Sequence, residues 1–347
     1  MPATDVPDLV LPDAEDLLRD AHVVRLPMRM RFRGLLEREA LLLRGPAGWG
    51  EFGPFVEYDD AEAARWLAAA VEAAWAGSPA PVRDCVPVNA TVPAVPADDV
   101  EAVLAHFNGC HTAKVKVAER GQRLADDVAR VAAVRLALGP SGRVRVDANG
   151  GWSVDDAARA LAALAPYDLE YAEQPCATLA DLGALRTRLA RQGTDVLVAA
   201  DESIRKAEDP LRVAAAGSAD VVVLKVAPLG GVTPALGVAK ACGLPVVVSS
   251  ALDTSVGIAA GVALAAALPR LPFACGLGTV GLFERDVAVP PLRPVSGVLD
   301  VGSARAVRPD AECLAELSAP VERVRWWQDR LRRCHAVLAG GAAGSRP

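Results

Sequence analysis

The stretch Ala113-Lys-Val-Lys-Val117, with the four that echo it (VRVDANGGW at 144–152, LEYAEQP at 169–175, VLVAADES at 196–203 and VVVLKV at 221–226), decides the fold. Each is a short apolar run closed by charge: Lys114 and Lys116, then Asp147, Glu173, Asp201 and Lys225. The steps from Lys116 to Asp147, Glu173, Asp201 and Lys225 are 31, 26, 28 and 24 residues. A strand, its helix and the connections need about 30 residues, so each step is one strand-plus-helix unit. A charged residue at the C-terminal end of each buried strand is the pattern of a (β/α) barrel, where those ends meet around one pocket.

Working outward, eight runs have strand character: Val86–Val92, Ala113–Val117, Val144–Asp147, Leu169–Glu173, Val196–Ala200, Val221–Lys225, Pro245–Ser249 and Pro272–Gly276. Amphipathic stretches between them, such as Leu124–Leu138, Val154–Leu164, Leu179–Arg191 and Val256–Leu268, predict helices. Alternation of this kind indicates an α/β chain with a parallel barrel. Before it, His22–Pro27 and Glu37–Leu43 predict antiparallel strands, and Asp59 or Asp60 caps a helix to about Trp75. After Asp300 the alternation stops, and a helix from about Val321 to Leu338 carries Trp326-Trp327. The expected units are an α+β capping domain at 1–83, a catalytic barrel at 84–300, and a segment at 301–347 that packs back on the cap. Its tail, 340–347, is expected to be disordered.

The chain has 347 residues, 52% of them hydrophobic and 23% charged, as in an ordinary packed globular protein. A net charge of −6 with no basic block argues against nucleic acid as a partner. There is no glycine-rich phosphate loop to support a nucleotide fold. Seven cysteines without a CxxC pair read as reduced thiols, and Cys110, Cys176 and Cys275 as structural. Met1–Asp16 lacks a charged-then-apolar secretion signal. The apolar Ser255–Pro269 is too short to span a bilayer and predicts a helix buried against the barrel. A cytoplasmic protein is expected, as a monomer or small homo-oligomer with no membrane partner.

Asp147, Glu173 and Asp201 end three successive strands, and three close carboxylates repel unless a cation neutralises them. Oxygen-only ligation selects a hard ion, Mg²⁺ first and Mn²⁺ second. Taken singly, each acid could simply cap the helix that follows. Lys114 and Lys116 stand two apart on a strand and share a face, here the barrel interior. With Lys225 they flank the acids, and burial beside other cations lowers a lysine's pKa so that a neutral amine can act as base. A metal-bound carboxylate substrate that loses its alpha proton to a lysine follows from these parts.

KxK (Lys114, Lys116), DAN (Asp147), EQP (Glu173), DES (Asp201) and the later Lys225, in this order over about Val86–Gly278, resemble the enolase superfamily, muconate-lactonizing subgroup. The resemblance implies a modified TIM barrel, (β/α)7β, with an α+β capping domain made of the N-terminal segment and the C-terminal tail. Within the subgroup, Gly48-Trp-Gly-Glu-Phe-Gly-Pro-Phe-Val-Glu-Tyr58, Arg31-Phe-Arg-Gly34 and Val324-Arg-Trp-Trp327 resemble its actinobacterial o-succinylbenzoate synthase branch. That implies the syn-dehydration of 2-succinyl-6-hydroxy-2,4-cyclohexadiene-1-carboxylate (SHCHC), a small dicarboxylate, in menaquinone biosynthesis, by way of a metal-stabilised enediolate. It further implies Asp147, Glu173 and Asp201 as metal ligands and Lys116 as the base that also protonates the leaving hydroxyl. Lys225 would be the cation on the opposite face and Lys114 a supporting charge. Asn149 and Glu202 would orient ligands or lysines, or Asn149 would only cap a helix.

A mobile lid is expected around Met28–Gly34, where Arg29, Arg31 and Arg33 suit a dicarboxylate. Ser249, Ser250, Gly276 and Gly278 are further candidates for contacts with the substrate. Three alternatives remain open on the same core: racemisation of N-acylamino acids or epimerisation of dipeptides, possibly as a second activity; lactonization; and a non-catalytic carbohydrate- or metal-binding barrel.

Overall fold

The computed structural model describes residues 11–205 and 210–344. Strands β1 (His22–Phe32), β2 (Leu35–Gly45) and β3 (Gly48–Phe52) form an antiparallel sheet in chain order. Both expected strands are longer than their apolar runs. The β1–β2 hairpin continues through Met28–Arg31 and turns on Arg33-Gly34, whose φ angles are 51° and 78°. Two left-handed residues make the turn that suits the right-handed twist of a hairpin. The expected lid is thus the tip of a paired hairpin, with Phe32 opposite Leu35.

The next helix, Asp60–Val71, starts where Asp59 accepts a hydrogen bond from the Glu62 amide at 2.8 Å. It ends in one widened π-type turn, Glu72–Ala76, just past the expected limit of Trp75. The C-terminal helix, Val321–Gly344, packs along Asp60–Val71. Trp327 is fully buried, meets Phe52 edge-on at 5.7 Å and donates to Glu39 at 2.9 Å. Residues 340–344, expected to be disordered, continue this helix; 345–347 lie outside the described residues.

The barrel strands are β5 (Ala90–Val92), β6 (Thr112–Lys116), β7 (Arg143–Asp147), β8 (Leu169–Glu173), β9 (Leu197–Ala200), β10 (Val221–Leu224) and β11 (Val246–Val248), parallel and adjacent in chain order. Strands β9–β11 are continuously apolar, as strands covered on both faces tend to be, whereas β6–β8 carry charged residues among their apolar ones. The first expected strand, Val86–Val92, is divided. Its first part, β4 (Cys85–Pro87), pairs antiparallel with β12 (Val298–Asp300), and only β5 enters the barrel. The eighth, Pro272–Gly276, closes the barrel through single parallel bridges, Cys275 to Val88 and Gly276 to Ser249. Pro272 has no amide hydrogen to extend that ladder. The Ala/Gly-rich segment forms the helix Ser255–Ala267, mostly buried, as expected. No helix among the described residues is long and apolar enough to cross a membrane.

Two glutamates pin the N-terminal segment to barrel helices. Glu51 of β3 accepts from the Thr254 amide at 3.0 Å, the Thr254 hydroxyl at 2.6 Å and the Gly257 amide at 3.0 Å, at the start of Ser255–Ala267. Glu72 accepts from the Val232 amide and from the Thr233 amide at 3.0 Å, at the start of Val232–Cys242. Helix N-termini present unpaired amides and partial positive charge, so carboxylates bind there.

Burial, reinforced by the nearby charge of Asp253, pushes the Glu51 carboxyl up to about 8. A carboxyl raised in this way binds more protons in the folded than in the unfolded chain. Its contribution to stability is therefore present at low pH and is lost as pH rises from the ordinary carboxylate value toward 8. Calorimetric melting across that range should show the wild-type Tm falling with pH more steeply than that of Glu51→Gln.

Candidate active site

The parallel register sets Lys116 beside Asp147 and Asp147 beside Glu173 at the C-terminal ends of β6, β7 and β8. Glu173 pairs with Ala199, and Asp201 follows one residue after β9. Lys225 comes directly after β10. All five side chains are turned inward: Asp147 and Glu173 are 1% exposed and Asp201 is fully buried.

Ammonium groups lie against the carboxylates. Lys114 Nζ donates to Glu173 at 2.8 and 2.9 Å and stands 3.3 Å from Asp147. Lys116 Nζ donates to Asp147 Oδ2 and to Asn149 Oδ1, both at 2.6 Å. Lys225 Nζ donates to Asp201 Oδ2 at 2.5 Å. Asn149 also donates to Glu202 at 3.2 Å, so it lies between one lysine and the loop after Asp201.

Burial opposes charge throughout this cluster, and its balance against near neighbours decides each outcome. For Lys114, burial is outweighed by Glu173 and Asp147, which hold its pKa above the ordinary lysine value. For Lys116, burial prevails over the pull of Asp147, aided by the adjacent Lys114, and its pKa is lowered. Asp147 is held low despite burial, by Lys116 and Lys114. Glu173 is raised to about 7 by burial and by the charge of Asp147, against the pull of Lys114. Burial thus leaves Lys116 easier to neutralise than an exposed lysine, although its contact with Asp147 opposes this.

Three buried carboxylates from adjacent strands, one of them resisting ionisation beside its neighbours, fit a hard divalent cation by donor type and by charge. As the side chains stand, no group of three His, Cys, Asp or Glu among the described residues is set to hold a metal ion. Lys114 bridges Asp147 and Glu173 and supplies positive charge there instead.

A cavity of about 30 Å³ is lined by Lys114, Lys116, Asp147, Asn149 and Lys225, together with Phe32, Arg33, Thr91, Ser249–Leu252, Gly276 and Thr279. It shares Phe32, Arg33, Lys116 and Asn149 with an outer chamber of about 470 Å³, which Arg31 also lines. The hairpin tip therefore covers the barrel mouth, with the Phe32 ring 5.5 Å from Lys116 Nζ. Of the other expected contacts, Ser249, Ser250 and Gly276 reach the cavity, and Ser250 bonds the Gly276 carbonyl and Thr279, each at 2.8 Å. Gly278 does not: a Cβ there would face Asn89 and Phe107. Arg29 turns away and donates to the Glu284 carbonyl at 3.3 Å. Cys110, Cys176 and Cys275 line neither chamber, and burial pushes their thiols up, to about 12, 11 and 11.

Several supports escaped the sequence reading. Gln174 accepts from the Asp201 amide at 3.0 Å and donates to Ser203 at 2.8 Å, joining the ends of β8 and β9. Arg130, 1% exposed, donates to the Lys116 carbonyl at 2.8 Å. The only signal for Arg130 was a cation between the apolar positions of a helix. Phe32 lay within the expected lid without a role of its own, and Thr91 carried no signal.

The enolase C-terminal domain-like family matches residues 97–306, and the enolase N-terminal domain-like family matches 23–74. The chain is 60% identical over 329 residues to an o-succinylbenzoate synthase of Mycolicibacterium smegmatis, covering 94% of this chain and 99% of the relative. It is 59% identical over 330 residues to the o-succinylbenzoate synthase of Mycobacterium tuberculosis, covering 95% and 98%. Among solved structures it is similar to a muconate lactonizing enzyme from Pseudomonas fluorescens, with TM-score 0.73, 22% identity and coverage of 86% and 98%. An N-succinyl Arg/Lys racemase from Bacillus cereus has TM-score 0.69, 17% identity and coverage of 86% and 97%. At these identities the solved structures speak for the fold alone.

Asp147→Asn keeps shape but removes charge from the β7 end of the carboxylate row. Titration calorimetry should show Mg²⁺ affinity reduced by tenfold or more, roughly the loss that one charged oxygen ligand implies. Unchanged affinity would remove Asp147 from the ligand set.

Proposed function

We propose that this chain, which belongs to the enolase superfamily, is an o-succinylbenzoate synthase that dehydrates SHCHC to o-succinylbenzoate in menaquinone biosynthesis. The observation that carries this reading is 60% identity along nearly the whole length of a relative of that name. The lysine and carboxylate geometry supplies a chemistry to match. As a division of labour, 84–300 would be the catalytic barrel, with 1–83 and 301–347 together forming the cap.

In the proposed mechanism, Lys116 Nζ, in neutral form, takes the proton from the ring carbon alpha to the substrate carboxylate. The resulting ammonium stays on the same face and gives that proton to the departing 6-hydroxyl. The carbon–oxygen bond breaks, water leaves, and the ring becomes aromatic. One face for both transfers makes the elimination syn. Asn149 holds the Lys116 amine toward its work through the 2.6 Å contact. Lys225, carried on the far side of the three acidic strands, places positive charge against the carboxylate as it gains electron density. Lys114 keeps the Asp147–Glu173 pair neutralised. Asp147, Glu173 and Asp201 would hold Mg²⁺, or Mn²⁺ in its place, which when bound offsets the charge that the substrate carboxylate acquires on proton loss. Arg31 and Arg33 at the mouth, and Ser249 and Ser250 inside, are the polar groups offered to the rest of the dicarboxylate. A charged, water-soluble substrate of this kind suits a cytoplasmic enzyme.

Two lysines on opposite sides would also permit a racemase. No feature of the cavity favours that reading over dehydration, and the racemase among the structural relatives shares only the fold.

The test follows the loss of diene absorbance from SHCHC, with Mg²⁺ and then with EDTA. The wild type should turn over only with metal. Lys116→Ala should lose on the order of 10²–10⁴-fold in kcat, the usual worth of a positioned acid–base group. Its Mg²⁺ binding should stay at least as tight, because a competing ammonium is gone. A variant with a near-normal rate would remove Lys116 as the base.

A further inference from the structure

Arg38 has no part in the chemistry above, yet it is 3% exposed and each of its three guanidinium nitrogens donates a hydrogen bond. From β2 it donates through Nε to the Leu252 carbonyl at 3.1 Å, and through its two terminal nitrogens to the Glu39 carbonyl at 3.1 Å and to the Gly53 carbonyl. Its guanidinium lies on the ring of Phe55, 4.4 Å from the centroid, and that of Arg33 lies 4.3 Å from the same centroid. Missing side chains make the room. A Cβ on Gly53 would stand 3.1 Å from Arg38 and 3.2 Å from Glu51.

Of the groups that Arg38 touches, Leu252 lines the active cavity, and Phe55 carries Arg33, which lines it too. Leu252 has a left-handed backbone, with φ of 66°, which a leucine keeps only where its surroundings impose it. It follows Ser249, Ser250 and Ala251, and all four line the cavity, as does Arg33. The reacting carboxylate belongs on the Lys116 and Asp147 side. The turn at 249–252 and the hairpin tip are then left to receive the part of the substrate that does not react.

We propose that Arg38, working through Phe55 and the Leu252 carbonyl, is a positioning residue that registers the Arg33 hairpin tip against the Ala251–Leu252 turn and so sets the fit of the substrate's non-reacting arm. This inference rests on the proposed function for its substrate, but not for its geometry. Arg38 reaches the substrate only through other residues. Its loss removes binding that is equal in ground and transition states, which raises KM and spares kcat.

The experiment compares full-length wild type, Arg38→Met, Phe55→Leu and Phe55→Tyr by SHCHC kinetics with Mg²⁺ and by amide hydrogen exchange without substrate. Arg38→Met and Phe55→Leu should raise KM by about tenfold or more with kcat within about twofold, the pattern of lost uniform binding. Exchange should quicken at both 31–34 and 251–254. Phe55→Tyr, which keeps a ring, should retain the wild-type KM. Unchanged KM and exchange in folded variants would overturn the proposal, as would a loss confined to kcat or to melting temperature. Should Arg38→Met not fold, Phe55→Leu carries the same test, since it leaves the buried hydrogen bonds in place. A wild type that does not consume SHCHC would overturn the function instead, and the exchange comparison would still decide the positioning role.

Discussion

Three carboxylates buried at neighbouring strand ends are the constraint on which the rest of this molecule depends. Asp147, Glu173 and Asp201 are almost completely removed from water. Isolated charges in such a place would be strongly unfavourable. Positive charge must reach them from within the barrel, and three lysines from the flanking strands supply it, with contacts of 2.5–2.9 Å to all three acids. The same opposition of burial and charge makes the site chemically useful. It leaves Lys116 with a lowered pKa and Glu173 with a raised one.

The N-terminal segment is held to the barrel by the same kind of force. Glu51 and Glu72 take up the free amides of two barrel helices, and Arg38 takes up carbonyls on both sides of the interface. Polar groups buried between units need partners across the boundary, so each such contact also fixes how the units meet. This explains the physical sense of the GWGEFGPF stretch. It contains Glu51, which caps a barrel helix, Gly53, which leaves space for Arg38, and Phe55, whose ring carries two guanidiniums. These residues lie at the boundary between the N-terminal sheet and the barrel, outside the lining of the active cavity.

The sequence by itself determined the barrel, the order of its charged strand ends and the presence of lysines on either side of the carboxylates. Those features are local: a two-residue period places Lys114 and Lys116 on one face, and a constant repeat length brings successive strand ends to one rim. Length and boundaries were legible only where apolar pattern and hydrogen bonding coincide. The division of Val86–Val92 and the closure through single bridges at Cys275 and Gly276 depend on partners far along the chain. The hairpin was hidden because Met28–Arg31 carries arginines that read as loop. Arg38 bonds a carbonyl 214 residues away, and Trp327 bonds a carboxylate 288 residues away. Only tertiary structure decided that Gly278 faces away from the cavity, that Arg29 leaves the mouth, and that Phe32 covers Lys116. Each depends on which surfaces the closed barrel brings together, and no periodicity within one segment encodes a contact made between two.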